Sequence, residues 1–538
     1  MRPVWSEARQ YARFARKLRE SLRHPVTAEQ ARAIVRRRLE AREANFLEVV
    51  ERAVFGNPRS PYLPLLARAG CALGDLRETV RARGLEPALE ALRAAGVYVT
   101  AEEAKGRTPI VRGDLVVPVR DTDFDNPLLR ADYGAETGGT TGPVIRVGVS
   151  VENLLAEAPN ALLAFEAHGL RGLPMGQWRG ILPNTSAVNN LFRSGAFIGQ
   201  RHVRWFSPSP MSWTVRRLKP RALTMCIVGV GWLSGVRLPW PRYVPLDRAD
   251  VVARWAAQTA AAHGGCVLRC VASTALRVAL AAQEHGLSLA GVTMIAGGEP
   301  ITPAKAAGIA RSGARWVPAY AFTEGGNVGF GCARPVAPDD VHVYRDLHAI
   351  IQAPRRIGAS ATTVPALYFS SLSPTARKIL LNAENGDYAI LEPRACGCPL
   401  EAHGFTAHLR EIRSFGLLTS EGTMVVATDM VRVLEEVLPA RFGGSALDYQ
   451  MVEEEDDAGF TRLRLLIHPR VAVADEADVV RTIVQHLTGL SRNLWTEVGT
   501  IRVVRAAPAL TAQGKLVPLH LARRPTASTV PPDGPARP

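Results

Sequence analysis

The amino-acid sequence predicts an α/β protein: a large N-terminal domain whose mostly parallel sheets are covered by helices, followed by a small α+β C-terminal domain. Three observations lead there. Apolar residues recur at three- and four-residue spacing through the first hundred positions. From Gly113 onward, short apolar runs alternate with helical segments, the pattern of strand–helix–strand units. After about Arg413 the texture changes again, to two helices interleaved with strands and an acidic turn. At 538 residues the chain is also too long for one simple core.

Taken in order, "EARQYARFARKLRESL" and "TAEQARAIVRRRLEAREANFLEVVERAVF" predict helices within 5–56, and shorter helices continue over 61–105. Residues 1–105 therefore form a helical region. Residues 106–415 form the main α/β domain. There "MCIVGVG" (225–231) reads as a strand, "DVVARWAAQTAAAHG" (250–264) as a helix and "VTMIAGG" (292–298) as a strand. "PAKAAGIARSG" (303–313) then reads as a helix and "WVPAYAF" (316–322) as a strand. Residues 416–524 form the small, mobile C-terminal domain. Its helices are "ATDMVRVLEEVLPARF" and "DEADVVRTIVQHLTGL", and its strands flank the acidic turn of "DYQMVEEEDDAGFTRLRLLIHP" and continue in "VGTIRVVRAAPAL". "GKLVPLHL" supplies the last element, and the Pro-rich 525–538 is a disordered tail.

Composition narrows the class. Hydrophobic residues make up 47% and charged residues 21%, which is the balance of a globular chain. The opening residues carry charge without a continuous apolar core, so they do not read as a secretory signal. "LTMCIVGVGWLSGV" (223–236) is too short to span a bilayer. Seven cysteines, unevenly spread, do not form a disulfide framework. The expected location is the cytoplasm. The net charge of +15 raises the question of nucleic acid, but the basic residues are dispersed and form no stripe interleaved with aromatics. An arginine-rich coding bias accounts for them. Only six residues are lysines, so a lysine in a special context carries weight.

Four loops carry the chemistry. "YGAETGGTTGP" (133–143) packs four glycines and three threonines into eleven residues. Its backbone N–H groups and hydroxyls suit phosphate oxygens, although it lacks the Gly-Lys-Ser/Thr ending of the usual phosphate loop. By itself it reads equally well as a Gly/Thr turn. "AGGEPIT" (296–302) and "AYAFTEGGN" (319–327) each follow an apolar strand, at the carboxyl ends where open α/β sheets build ligand crevices. "NAENGDYAIL" (382–391) contains a turn bearing Asp387. Together these offer phosphate donors, an aromatic face, a metal-binding carboxylate and a ribose-binding carboxylate.

This ordered set resembles the adenylate-forming superfamily of acyl-CoA synthetases and adenylation domains. Thr137-Gly138-Gly139-Thr140-Thr141-Gly142 is similar to its phosphate loop, and Gly298-Glu299-Pro300 to its adenine strand. Tyr320-Ala321-Phe322-Thr323-Glu324 resembles its Tyr-Gly-x-Thr-Glu motif, and Asn385-Gly386-Asp387 its Thr-Gly-Asp. Lys515, in "LTAQGKLVPL", stands where the family keeps a catalytic lysine. The likeness spans roughly residues 110–525 and is nearest to the phenylacetate–CoA ligase branch, which has a Cys/His/Cys-x-Cys set. Cys332, His342, Cys396 and Cys398 match that set, and thiolate and imidazole ligands suit a structural Zn²⁺. His348 and His403 are reserve ligands. Cys266 and Cys270, at helical i,i+4 spacing beside apolar residues, read as core.

The resemblance implies a ligase using ATP and Mg²⁺. It would join a small aromatic or other carboxylic acid to coenzyme A through an acyl-adenylate. The 137–142 loop would hold the β- and γ-phosphates, Tyr320 would lie against adenine, and Thr323 would touch the α-phosphate. Glu324 would ligate Mg²⁺ and Asp387 would bind the ribose. Lys515 would bridge the carboxylate and the α-phosphate. Asn189, Asn190, Phe192 and Gly195 are the acyl-pocket candidates, in a segment that reads equally as an ordinary helix entry; Trp205 and Phe206 read as core. At the hinge Gly416 fits, but Leu417 stands where an arginine is expected, and Thr419 and Ser420 replace the acids. Arg413 is the substitute for the missing arginine. Other outcomes left open are transfer to an amine, an alcohol or a protein thiol, and a non-catalytic protein that kept the fold. Neither nucleic acid nor membrane is expected as a partner, and a homodimer is one possible assembly.

Overall fold

The computed structural model describes residues 4–136, 146–182, 184–208, 215–298, 301, 303–356, 363–414, 417–420, 423–426, 433–444, 448–455, 461–486, 501–508 and 519–521. Its centre is a twelve-stranded sheet. One half is parallel: Arg315–Phe322, Val292–Gly297, Cys266–Val271, Met175–Trp178, His202–Ser207 and Pro241–Tyr243 lie side by side in that order. The other half is antiparallel. From Arg315–Phe322 it runs through Gly326–Gly331, Val341–Val343, Ala407–Ser414, Ala383–Pro393 and Thr363–Ser371 to His348–Arg356. The change of direction falls at the hairpin that carries Thr323 and Glu324.

Both faces of the parallel half are covered, as buried parallel strands require. On one face Trp178, Leu268, Cys270 and Met294 pack under helices Ala249–His263 and Ala272–Glu284. On the other, Met175, Trp205, Val267, Ile295 and Val317 share a core with helices Val151–Ala167 and Ser186–Arg193. The N-terminal helices join these cores. Leu18 and Leu22 of Val4–Arg23 and Val35 of Ala28–Glu40 pack with the second face, while Phe46, Val54 and Leu89 pack against Ile351 and Tyr368 of the antiparallel half. Helix Ala28–Glu40 opens with a capping box in which Thr27 accepts from the Gln30 N–H and Gln30 accepts from the Thr27 N–H.

A separate four-stranded sheet forms near the C-terminus, in the order Ile501–Arg505, Thr461–Ile467, Tyr449–Glu455, Leu519–Leu521. Its middle pair is the expected antiparallel hairpin around the acidic turn. Helix Glu476–His486 buries Val479, Ile483 and Val484 against it. This is the small α+β domain predicted from the sequence. Among the described residues no helix is long and apolar enough to cross a membrane.

Three local expectations are corrected. Residues 225–231 are not a strand; they lie in helix Val215–Leu233, where Ile227 and Val228 are buried in the core. A short buried apolar run has no periodicity that separates strand from helix. Cys266 and Cys270 are buried as expected, but on strand Cys266–Val271, where residues four apart also share a face. Asp387 sits within strand Ala383–Pro393 rather than in a turn. Gly386 before it has φ +92°, and the register slips just beyond, between Tyr388 and Ile390, so the strand kinks at this point.

Candidate active site

The hairpin at the parallel–antiparallel junction positions the central motif. Strands Arg315–Phe322 and Gly326–Gly331 pair with Tyr320 opposite Gly329 and Phe322 opposite Gly326, leaving Thr323, Glu324 and Gly325 as the turn. Gly326 has φ +79°, and a Cβ there would collide with Glu157 Oε1, so the turn needs glycine on two counts. Gly298, just past strand Val292–Gly297, has φ +87° and lies at the carboxyl end of the neighbouring strand.

Tyr320 and Asp387, expected on either side of a nucleoside, are joined directly. The Tyr320 hydroxyl donates to Asp387 Oδ2 at 2.7 Å. Asn385 Nδ2 donates to both the Tyr320 oxygen and Asp387 Oδ2, each at 2.8 Å, while Asn385 Oδ1 accepts from the Asp387 N–H at 3.0 Å. Burial first, and the adjacent Asp387 carboxylate second, push the Tyr320 pKa well above its usual value, so the phenol stays a donor. One triangle of hydrogen bonds thus locks the aromatic face to the carboxylate.

Behind the turn lies an ionic network that the sequence did not reveal. Helix Val151–Ala167 starts at Ser150, whose hydroxyl accepts from the Asn153 N–H at 3.0 Å. It carries Asn153, Glu157 and Asn160 on one buried face. Arg193 donates to Glu157 Oε2 at 2.5 Å, and Arg377 lies 3.5 Å from Glu157 Oε1. Arg377 also donates to Asn153 Oδ1 at 2.8 Å and to the Thr323 carbonyl at 3.3 Å. Burial alone would raise the Glu157 pKa, but the Arg193 and Arg377 charges outweigh it and hold the carboxyl below its usual range. Arg377 therefore ties the Thr323–Glu324 turn to a buried charge pair. The readable signal was an Asn-x₃-Glu-x₂-Asn stripe on a helix rich in Ala and Leu.

The acyl candidates lie on helix Ser186–Arg193 and just beyond it. Asn189 Oδ1 accepts from the Tyr133 hydroxyl at 2.8 Å, and Asn190 Oδ1 accepts from Arg193 at 3.0 Å. Phe192 is buried in the core, stacked on Phe197 at 5.6 Å. Gly195 lies beside the buried His202 ring. Trp205 and Phe206 are core, as expected.

Several expected residues lie outside the described ones: Thr137, Gly138, Gly139, Thr140, Thr141, Gly142, Glu299, Pro300, Gly416 and Lys515. The strands flanking the Gly/Thr loop are described. Tyr133–Glu136 pairs antiparallel with Arg146–Val149, which holds the two ends of the loop together. Arg413 lies on strand Ala407–Ser414 opposite Tyr388, one register position from Asp387, and its side chain is outside the described residues. Leu417, Thr419 and Ser420 form one strand of a small hairpin with Thr423–Val426.

Cys332, His342, Cys396 and Cys398 converge, with one ligand atom from each lying within 4.8 Å of the others. His342 Nε2 is 3.0 Å from Cys398 Sγ and 3.6 Å from Cys396 Sγ. His342 Nδ1 donates to the Phe405 carbonyl at 2.6 Å, which leaves the Nε2 lone pair facing the sulfurs. The Arg334 N–H donates to Cys332 Sγ and the Cys398 N–H to Cys396 Sγ, at 3.3 and 3.4 Å. Hydrogen bonding with Cys332 first, and with His342, holds the Cys398 thiol far below its usual pKa. Beside the cluster Asp340 is buried between Arg394 and His408, whose Nδ1 is 2.8 Å from Asp340 Oδ1. The reserve ligands stand apart. His348 Nε2 is bonded to the Asn327 carbonyl at 3.1 Å, and His403 is outside the four-residue group.

No family model matches the chain, and no curated protein does. Solved structures do. A 2-hydroxyisobutyryl-CoA ligase, solved with 2-HIB-AMP and CoA in the thioesterification state, superposes over 90% of each chain with a TM-score of 0.56 at 14% identity. A malonyl-CoA ligase and an amide bond synthetase from Marinactinospora thermotolerans each give a TM-score of 0.41, at 14% and 13% identity; they cover 78% and 94% of this chain and 87% and 97% of their own. The last two are too distant to carry an argument. The first match shows that the chain shares the fold of that CoA ligase.

Proposed function

We propose that this protein activates a carboxylic acid with ATP and passes the acyl group to coenzyme A. A carboxylate oxygen attacks the α-phosphorus, the bond to the β-phosphate breaks, and pyrophosphate leaves. The thiol sulfur then takes the acyl carbon, AMP departs, and the thiol proton passes to solvent. The observation that carries this reading is the Tyr320–Asn385–Asp387 triangle, whose Tyr320 lies on the strand that leads into the Thr323–Glu324 turn. Tyr320 supplies a flat face for a base and Asp387 a fixed acceptor for ribose hydroxyls. Arg377 holds the Thr323 carbonyl, which orients the turn toward the phosphates. Glu324 would hold Mg²⁺, which neutralises charge as the phosphates separate. The 137–142 loop and Lys515 supply the remaining phosphate contacts, with Gly298-Glu299-Pro300 beside the base and Arg413 beside the ribose.

The domain reading follows from the same proposal. Residues 1–105 form a helical region, 106–415 bind ATP and acid, 416–524 move to complete the site, and 525–538 form a tail. The test is a panel of carboxylic acids incubated with ATP, with and without coenzyme A, and read by mass spectrometry. An acyl-CoA product that depends on both ATP and acid is expected. An acyl-AMP that accumulates unchanged by coenzyme A would move the acceptor to an amine, an alcohol or a protein thiol.

The four-residue sulfur–imidazole cluster fits a structural Zn²⁺, since three sulfurs and one imidazole nitrogen converge with the histidine tautomer already set. Its residues also match the phenylacetate–CoA ligase pattern, the branch we favour. Metal analysis of the purified chain is expected to find one zinc, and Cys398→Ser is expected to lower the melting temperature. A zinc-free preparation with an undiminished melting temperature would contradict the assignment.

A further inference from the structure

One row crosses the parallel half of the sheet on the face packed by helices Val151–Ala167 and Ser186–Arg193. In register it reads Trp205, Gln177, Arg269, Ile295, Val317. The outer members are core residues, but the middle pair is polar, and both side chains are buried. Gln177 is 0% exposed, and among the described residues neither its Oε1 nor its Nε2 has a hydrogen-bond partner. Arg269 is 5% exposed, and its Nε and Nη1 likewise have no partner among the described residues. The buried His202 adds two more ring nitrogens without a partner among the described residues, its ring lying where any side chain at residue 195 would collide with it.

Buried polar atoms without partners are rare, and a buried charge without a counterion is costly. The guanidinium is in effect always protonated. Burial first, then the Arg193 and Arg179 charges, push its pKa well below the usual value. Arg193 already shares Glu157 with Arg377, so no spare carboxylate from that network remains for Arg269. Burial pushes the His202 pKa down to about 3, which leaves its ring neutral and able to accept or donate.

Resting on the acid-activation reading above, we infer that the acid carries a second carboxylate at its far end, held by Arg269 and Gln177 beneath helix Ser186–Arg193. An Arg fork binds a carboxylate through two parallel bonds, and the Gln177 amide can donate a third. The distal carboxylate then neutralises the buried charge. The substrate class is a dicarboxylic acid.

The test compares matched pairs, such as glutarate with valerate and succinate with butyrate. The two readouts are acid-dependent pyrophosphate exchange and the shift in melting temperature on adding acid alone. The diacids are expected to exceed their monoacid partners about 100-fold or more in kcat/KM. Arg269→Met is expected to erase that preference and the diacid-induced stabilisation. It should not lower the melting temperature of the free protein, because it removes an unpaired buried charge. Arg269→Lys should retain part of the preference. Equal use of both acid classes, or a diacid preference that survives Arg269→Met, would overturn the inference. Diacid stabilisation without exchange would support the subsite while removing the activation chemistry. Neither exchange nor stabilisation by any diacid would overturn the subsite as well.

Discussion

Glu157→Ala is expected to be the most destabilising single change in the main domain, costing about 3–5 kcal/mol. Its carboxylate, 3% exposed, is shared by Arg193 and Arg377, which are themselves buried. Removing it leaves two guanidinium groups facing each other without a counterion. The pH dependence follows from the same contacts. Because the folded pKa lies below the ordinary glutamate value, this contribution is fully present above that value, about 4.3. It is lost as the pH falls through the lower folded pKa. Chemical denaturation of the wild type and of Glu157→Ala, at neutral pH and near pH 4, checks both statements. A variant as stable as the wild type at neutral pH would show that the pair contributes nothing net. Glu157→Gln keeps the shape and one acceptor, so a smaller loss is expected.

Why this network escaped the sequence is physical. Glu157 and Arg193 on two helices and Arg377 on a loop are brought together by packing across long separations in the chain, and no spacing rule connects them. Local motifs fared differently. "AYAFTEGGN" was legible because strand, turn and glycine hinge are contiguous, and the structure makes Thr323–Gly325 the turn between two paired strands. The parallel half of the sheet was legible where apolar runs alternate with helices, as at 292–322. It was not at 225–231, where a buried helix and a buried strand share one composition. The antiparallel half, with charged strands such as Ala407–Ser414, shows no comparable apolar signal. The Cys332, His342, Cys396 and Cys398 set had an unusual one-residue Cys-x-Cys spacing. Gly397, at φ +66°, shows how the backbone turns tightly enough to bring both thiols to one point.

Lys515→Ala is expected to lower the rate of adenylate formation by about 100- to 1000-fold, with little change in stability. The proposed role is charge stabilisation as the carboxylate oxygen meets the α-phosphorus. That contact is made in the transition state, so its loss should fall on kcat more than on KM. The scarcity of lysine, six in 538 residues, makes the "GKL" context hard to ascribe to chance. Pre-steady-state adenylation with a good acid reads the effect. An unchanged rate in the variant would remove Lys515 from the site and return the Gly/Thr loop to being a turn without its distant partner.

The central claim is acid activation through an adenylate, and pyrophosphate exchange tests it most directly. The full chain, with ATP, Mg²⁺ and labelled pyrophosphate, is expected to incorporate label into ATP only when a suitable carboxylic acid is present. Exchange that proceeds equally without any acid, or that is absent across a broad panel of mono- and dicarboxylic acids, would contradict it.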